Sequence, residues 1–192
     1  MNDSEPYSFI FRGQLTEAAL DRAGRRTRYD LSASAEELRR VLGIDVLDVD
    51  YVAEAERMSF VYITVAAFEN SVRDLIGRVL ADAAGEGWWD QCVPERIKNA
   101  AKNRLEAEEK VRWHVQRGDD PIRYSMLPNL ASIIENNFSH FEPYLHNVAW
   151  VKSVFEVVER SRNVIMHSGT LSDRDMNRLG SLIRDWNSQV AI

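Results

Sequence analysis

Cysteine is almost missing from this chain: Cys92 is the only one among 192 residues. An intrachain disulfide is thereby excluded, and with no second thiolate and no paired histidine nearby there is no recognisable zinc site. Long apolar runs are missing too. The longest, such as Phe60 to Phe68, are interrupted by Ser, Thr or Ala and end in charge. They fall well short of the roughly 20 residues that cross a bilayer, so no membrane span is expected. The opening Met1-Asn2-Asp3-Ser4-Glu5 lacks the cationic start and apolar stretch of a secretory signal, and the expected location is the cytoplasm. Nor is there a basic excess. The formal net charge of -6 argues against a protein that coats nucleic acid through a broad cationic surface. Internal repeats and low-complexity tracts are also lacking.

What is present is the composition of a folded globular chain, 45% hydrophobic and 28% charged. The length suits one well-buried domain with a small extension. Charge is uneven along it. Residues 1 to 60 carry 8 basic and 12 acidic side chains, whereas Gln91 to Arg123 carries 8 basic and 6 acidic ones. Lys98, Lys102, Arg104, Lys110, Arg112, Arg117 and Arg123 could steer a polyanion, although a charge run along a helix more often forms a solvated face.

Residues 1–50 read as a mixed extension. Tyr7 to Phe11 alternates like a strand, Leu15 to Ala23 like a short helix closed by Gly24, and Arg28 to Leu31 like a second strand. Ser34-Ala35-Glu36-Glu37 has capping-box spacing and introduces a helix ending near Gly43. Residues 51–192 read as all-α. From Val52 to Leu80 the apolar positions Met58, Val61, Tyr62, Val65, Phe68, Val72, Leu75, Ile76, Val79 and Leu80 recur at threes and fours, which predicts one long amphipathic helix. Trp88-Trp89 is expected to lie over the core rather than to stack bases. Pro94 fits the first turn of a second helix, with Ile97, Ala101, Leu105, Val111 and Val115 at helical spacing until Gly118-Asp119-Asp120-Pro121 breaks it. Leu130, Ile133, Ile134 and Phe138 mark a third helix and Val148 to Met166 a fourth. Ser172 with Asp175 begins a last one carrying Met176, Leu179, Leu182, Ile183 and Trp186. The expected fold is an all-α bundle of about five helices.

One stretch carries polar residues in an order that packing alone does not explain: Arg162-Asn163-Val164-Ile165-Met166-His167, then Ser168-Gly169-Thr170. It sets a permanent cation, whose fork matches phosphate oxygens, near the side chain that titrates closest to neutrality. That pairing suits phosphodiester chemistry. Asn163 precedes His167 by four residues and shares its helix face, where its amide could orient the ring or a phosphate. Arg160, two turns from His167 on nearly the same face, could replace or assist Arg162. The alternative is structural: Val164, Ile165 and Met166 end a buried helix, and the His complements its negative end. His114, His140 and His146 show no metal spacing.

The segment resembles the hallmark of the HEPN superfamily, an Arg followed after four to six residues by a His, in its shortest form with a polar residue directly after the Arg. Phe68-Glu69-Asn70-Ser71-Val72-Arg73-Asp74-Leu75-Ile76 is similar to the early helix of its abortive-infection and RNA-surveillance subgroup. Pro121-Ile122-Arg123-Tyr124 with Leu130 and Ile133-Ile134 is similar to its middle. The resemblance covers residues 52 to 190 and leaves the first fifty unmatched. It implies a helical bundle that dimerises so that two motifs face one cleft, and a metal-independent endoribonuclease with no cofactor. In that reading the RNA 2′-hydroxyl is the nucleophile, His167 transfers protons, Arg162 holds the phosphorane oxygens and Asn163 orients His167 or donates to phosphate. The resemblance also implies that Glu69 faces the motif, although Glu69 and Arg73 equally fit a surface i,i+4 ion pair. The implied partners are RNA, a second copy of the chain, and an antitoxin or other protein of a defence system. A non-catalytic HEPN-like module that dimerises, or binds nucleotide or RNA as an adaptor, is the alternative.

Overall fold

The computed structural model describes Thr16 and residues 35–190. The strands expected at 7–11 and 28–31 lie outside the described residues, as does the helix expected at 15–23 except for Thr16, which is helical. Contacts divide the chain into two units, 1–52 and 53–192. In the first, α1 (Ala35–Val41) opens with Glu36 and Glu37 and closes with Arg39 and Arg40. Those charges oppose the partial charges at each end of the helix. Gly43 follows at φ 67°, a left-handed conformation that glycine adopts at little cost, and introduces the 3-10 turn Ile44–Val46.

Every described regular element is helical; no strand occurs among the described residues. The long helix α2 (Val49–Ala84) runs through 36 residues and buries Met58, Val61, Val65, Phe68, Val72, Leu75, Ile76, Val79 and Leu80. This is the three-and-four spacing expected of a core-facing stripe. Tyr62, expected inward, is 57% exposed. Left-handed Gly85 (φ 73°) ends α2 and leads through a 3-10 turn into α3 (Trp88–Cys92). Trp88 and Trp89 meet edge to face at 5.6 Å and lie half-buried over the core, as expected.

After Pro94, α4 (Glu95–Glu109) buries Ile97 and Ala101 and stops earlier than its apolar spacing predicts. Glu106, Glu108 and Glu109 crowd the end that carries the helix's own partial negative charge, which disfavours continuation. Val111 and Val115 accordingly leave helical register, and the chain runs through a loop to the 3-10 turn Pro121–Tyr124. The predicted third helix is two pieces, α5 (Leu127–Asn136) and α6 (Phe138–Phe141). The break has a local cause: the Asn137 amide donates to the Ile133 and Cys92 carbonyls, at 2.8 and 2.9 Å, in place of helical continuation.

α7 (Val148–Met166) buries Val151, Val154, Phe155, Val158 and Ser161, and α8 (Asp173–Val190) buries Leu179 and Trp186. α7 packs on α5 and α8, and α4 on the Pro121–Tyr124 turn. Trp186 stands at the centre, its ring 5.4 Å from Phe68 and from Phe155 and stacked at 5.7 Å on Trp150. These edge and stacked geometries tie α2, α7 and α8 together through one aromatic cluster. No described helix is long and apolar enough to cross a membrane.

Candidate functional site

The Arg162 to His167 segment forms the last turn and a half of α7, and the end of that helix is tightly built. Gly169 N–H donates to the Val164 carbonyl at 2.8 Å and Ser168 N–H to that of Ile165 at 3.1 Å. These are the two bonds of a Schellman stop. The left-handed residue is Ser168 (φ 60°) rather than the glycine. Gly169 is needed for a different reason: a Cβ there would come within 2.9 Å of both the Val164 carbonyl oxygen and its Cγ1. His167 is the C-cap, with its N–H shared by the Asn163 and Val164 carbonyls at 3.3 Å. Its main chain is therefore fixed, while its exposed side chain makes no hydrogen bond with any described residue.

At 100° per residue, Asn163 and His167 lie about 40° apart around α7, Arg160 and His167 about 20°, but Arg162 and His167 about 140°. The burial pattern agrees. Arg160, Asn163 and His167 are exposed, whereas Arg162 is half-buried on the flank turned towards α2. There its Nε lies 3.6 Å from Glu69 Oε1, which brings two of the expected site residues together.

The other oxygen of Glu69 accepts from Arg73 Nη2 at 3.0 Å, and the same nitrogen donates to the Ser125 carbonyl at 3.1 Å. Glu69 and Arg73 side chains are only 14% and 13% exposed, so the surface ion pair expected at this spacing is instead a largely buried one. Two guanidinium groups thus share one carboxylate. Within this cluster, Arg73 Nε and Ser125 Oγ are shielded from solvent with no hydrogen-bond partner, as is Glu159 Oε2 on α7. The link from Arg73 to Ser125 spans 52 positions, and the i,i+4 spacing of Glu69 and Arg73 carries no sign of it.

On the other flank a groove of about 470 Å³ runs between α7 and α8, lined among others by Arg160, Ser161, Val164, Leu171, Asp175 and Arg178. Arg160 pairs with Glu156 at 2.6 Å. Arg178 has no hydrogen-bond or ion-pair partner among the described residues. Asp175 is held at the foot of α8 by Ser172, whose hydroxyl donates at 2.6 Å and keeps the carboxyl below its usual range.

Half of the eight cations between Gln91 and Arg123 are occupied internally. Lys98 pairs with Glu95, Lys102 with Glu106 and Arg117 with Glu108, while Arg104 donates to the Tyr124 carbonyl at 2.6 Å. Lys110, Arg112 and Arg123 have no such partner among the described residues. No cluster of His, Cys, Asp and Glu side chains among the described residues is arranged to hold a metal ion. Comparison with family models, with curated proteins and with solved structures finds no match.

Proposed function

We propose that the helical unit is a HEPN-type, metal-independent endoribonuclease of a defence or toxin-antitoxin system, acting as a homodimer with two Arg162/His167 motifs at one cleft. The observation that carries this reading is the way Arg162 is held. Its Nε lies at ion-pair distance, 3.6 Å, from Glu69, and neither terminal nitrogen has a protein partner among the described residues. A guanidinium drawn to a carboxylate on its inner-nitrogen side presents its outer fork, the geometry that takes two oxygens of one phosphate. Glu69 is then a positioning residue.

His167 supplies the complementary property. Its imidazole is open to solvent and unbonded, so it can exchange a proton with substrate. RNA brings its own nucleophile: His167 accepts the 2′-hydroxyl proton, or donates one to the departing 5′-oxygen, and the partner's copy takes the other role. Arg162 stabilises the charge that grows on the phosphorane, and Asn163, beside His167, orients the ring or donates to a phosphate oxygen. The wide angle between Arg162 and His167 on one helix favours a site completed across two copies. The products would be a 2′,3′-cyclic phosphate and a 5′-hydroxyl.

The second reading, a non-catalytic dimerising or RNA-binding adaptor, is favoured by the burial of Glu69 and Arg73, since a largely buried ion pair also serves as structural cement. Purified protein incubated with mixed RNA in chelator distinguishes the two. Cyclic-phosphate ends made by wild type and lost in Arg162→Ala and His167→Ala support the nuclease. Three equally inert proteins support the adaptor.

A further inference from the structure

The loop that replaces the expected end of α4 exposes more apolar surface than its surroundings explain. Trp113 is 86% exposed and Val115 89%, while Trp186 is buried and Trp88, Trp89 and Trp150 are half-buried. Its sequence, Lys110-Val111-Arg112-Trp113-His114-Val115-Gln116-Arg117, alternates apolar with basic or polar residues and contains no acid. In a chain of net charge -6, that is a local inversion.

The loop is also built rather than slack. Arg117 Nε pairs with Glu108 at 2.7 Å, and the Arg117 N–H donates to the same carboxylate. The Arg117 guanidinium lies over the Tyr124 ring, whose hydroxyl donates to the Gly118 carbonyl at 3.0 Å. Asp120 caps the turn that follows by accepting from Ile122 N–H. Glu108 and Asp120 are thus engaged at the base of the loop, and burial, with the negative charges of Glu108, Asp119 and Glu109, holds the Tyr124 hydroxyl above its ordinary pKa. The tip is closed by one bond, from His114 N–H to the Val111 carbonyl, which puts Arg112 and Trp113 at the two central positions of a β-turn. Lys110 and Arg112 have no hydrogen-bond or ion-pair partner among the described residues.

An indole 86% exposed, touched by the His114 ring alone among the described aromatic residues (5.7 Å, edge to face) and flanked by two cations without a partner among the described residues, matches one ligand chemistry well: a base to stack and a phosphate on either side. We infer that Lys110, Arg112 and Trp113 form a finger that grips single-stranded RNA, Trp113 stacking a base while Lys110 and Arg112 take backbone phosphates. This rests on the reading of RNA as the substrate and gives that substrate a second point of attachment. A chain of contacts already joins the two places. The base of the loop ends at Tyr124, the next carbonyl binds Arg73, Arg73 binds Glu69, and Glu69 binds Arg162.

The test measures the binding of a fluorescein-labelled 2′-O-methyl RNA oligonucleotide of mixed sequence, which cannot supply the nucleophile and is therefore bound without being cut. Trp113→Ala is expected to weaken binding by about 10-fold, within the range of one lost base stack, with Trp113→Phe retaining most of the affinity. Lys110→Ala with Arg112→Ala is expected to lower the slope of log affinity against log salt by about 1.4, the value for two phosphates on a single strand. Both positions are exposed, and unchanged thermal melting confirms that the fold is intact. RNA binding that ignores all three changes overturns the finger. So does Trp113-dependent binding of polyglutamate or of anionic lipid vesicles in place of RNA. Trp113-dependent binding by a protein that never yields cyclic-phosphate ends supports the finger and refutes the nuclease. Cleavage by a protein whose RNA affinity is unmoved by Trp113→Ala does the reverse.

Discussion

The two flanks of α7 treat their polar residues in opposite ways. Towards α2, Arg162 is half-buried beside Glu69, and that carboxylate is shared with Arg73 and through it with the main chain at Ser125. On the outer flank, Asn163 and His167 are exposed, with side chains that bond to nothing among the described residues. In the proposed nuclease the difference amounts to a division of labour. A charge that must meet a phosphate in one orientation gains from being held beforehand, because reorganisation during reaction is then avoided. A group that must give and take protons needs access to solvent and to substrate, and a hydrogen bond to the protein would compete with both.

The sharpest way to break this comparison is to remove one flank at a time. His167→Ala should lower RNA cleavage by about 1,000-fold, within the usual range for losing a general acid or base. Its stability should change by less than about 0.5 kcal/mol, as expected for an exposed side chain without partners. Parallel cleavage assays and urea denaturation check both halves. A large loss of stability in this variant would mean that the imidazole is structural and that the flanks do not differ.

Glu69 tests the other flank. Glu69→Ala leaves Arg73 and Arg162 without their shared acceptor, with Arg73 only 13% exposed. Breaking a fully buried pair costs about 3 to 5 kcal/mol, and the remaining exposure here brings the expectation to about 2 kcal/mol in urea denaturation. Cleavage should fall by about 10-fold as Arg162 loses its orientation, roughly the effect of a small misplacement of a binding group. Glu69→Gln, whose amide oxygen still accepts from a guanidinium, should recover part of both losses. If Glu69→Gln were as inactive as His167→Ala while fully stable, Glu69 would be a proton-transfer group and not a tether.

Much of this fold is legible in the sequence because its helices announce themselves by apolar spacing and by their end signals. The stripe from Met58 to Leu80 and the Ser172/Asp175 start of α8 are local patterns, and the structure keeps them. Periodicity misleads where a competing local interaction outweighs it. Val111 and Val115 continue the apolar rhythm of α4, yet three glutamates oppose the helix end before them. Phe138 continues the rhythm of α5, yet the Asn137 amide captures two carbonyls. At the site, the Asn163 and His167 face follows from spacing alone. The Arg73 to Ser125 link, and the burial that turns Glu69 and Arg73 from a surface pair into an enclosed one, are contacts across the fold that no spacing encodes.

The smallest expected effect concerns the junction that separates the flanks from α8. Ser172 and Asp175 form a reciprocal cap, the serine hydroxyl also accepting from Asp175 N–H at 3.2 Å and the carboxylate from Ser172 N–H at 3.3 Å. Ser172→Ala should cost about 1 kcal/mol at neutral pH, as for other lost N-caps. The hydroxyl bond is the main reason that the Asp175 carboxyl titrates below its ordinary value. A depressed acid stabilises the fold above its unfolded pKa, about 3.9 for Asp, and that contribution disappears as pH falls through the lower folded value. The stability gap between wild type and Ser172→Ala, followed by thermal melting, should therefore be widest above pH of about 4 and narrow under more acid conditions without vanishing, because the bond from Asp175 N–H to the serine hydroxyl does not titrate. Cleavage should hardly change, because the backbone of His167 is held by the Gly169 and Ser168 bonds and not by the cap of α8. A Ser172→Ala protein that lost cleavage together with stability would show that the imidazole depends on the start of α8 for its place, and the outer flank would then be no freer than the inner one.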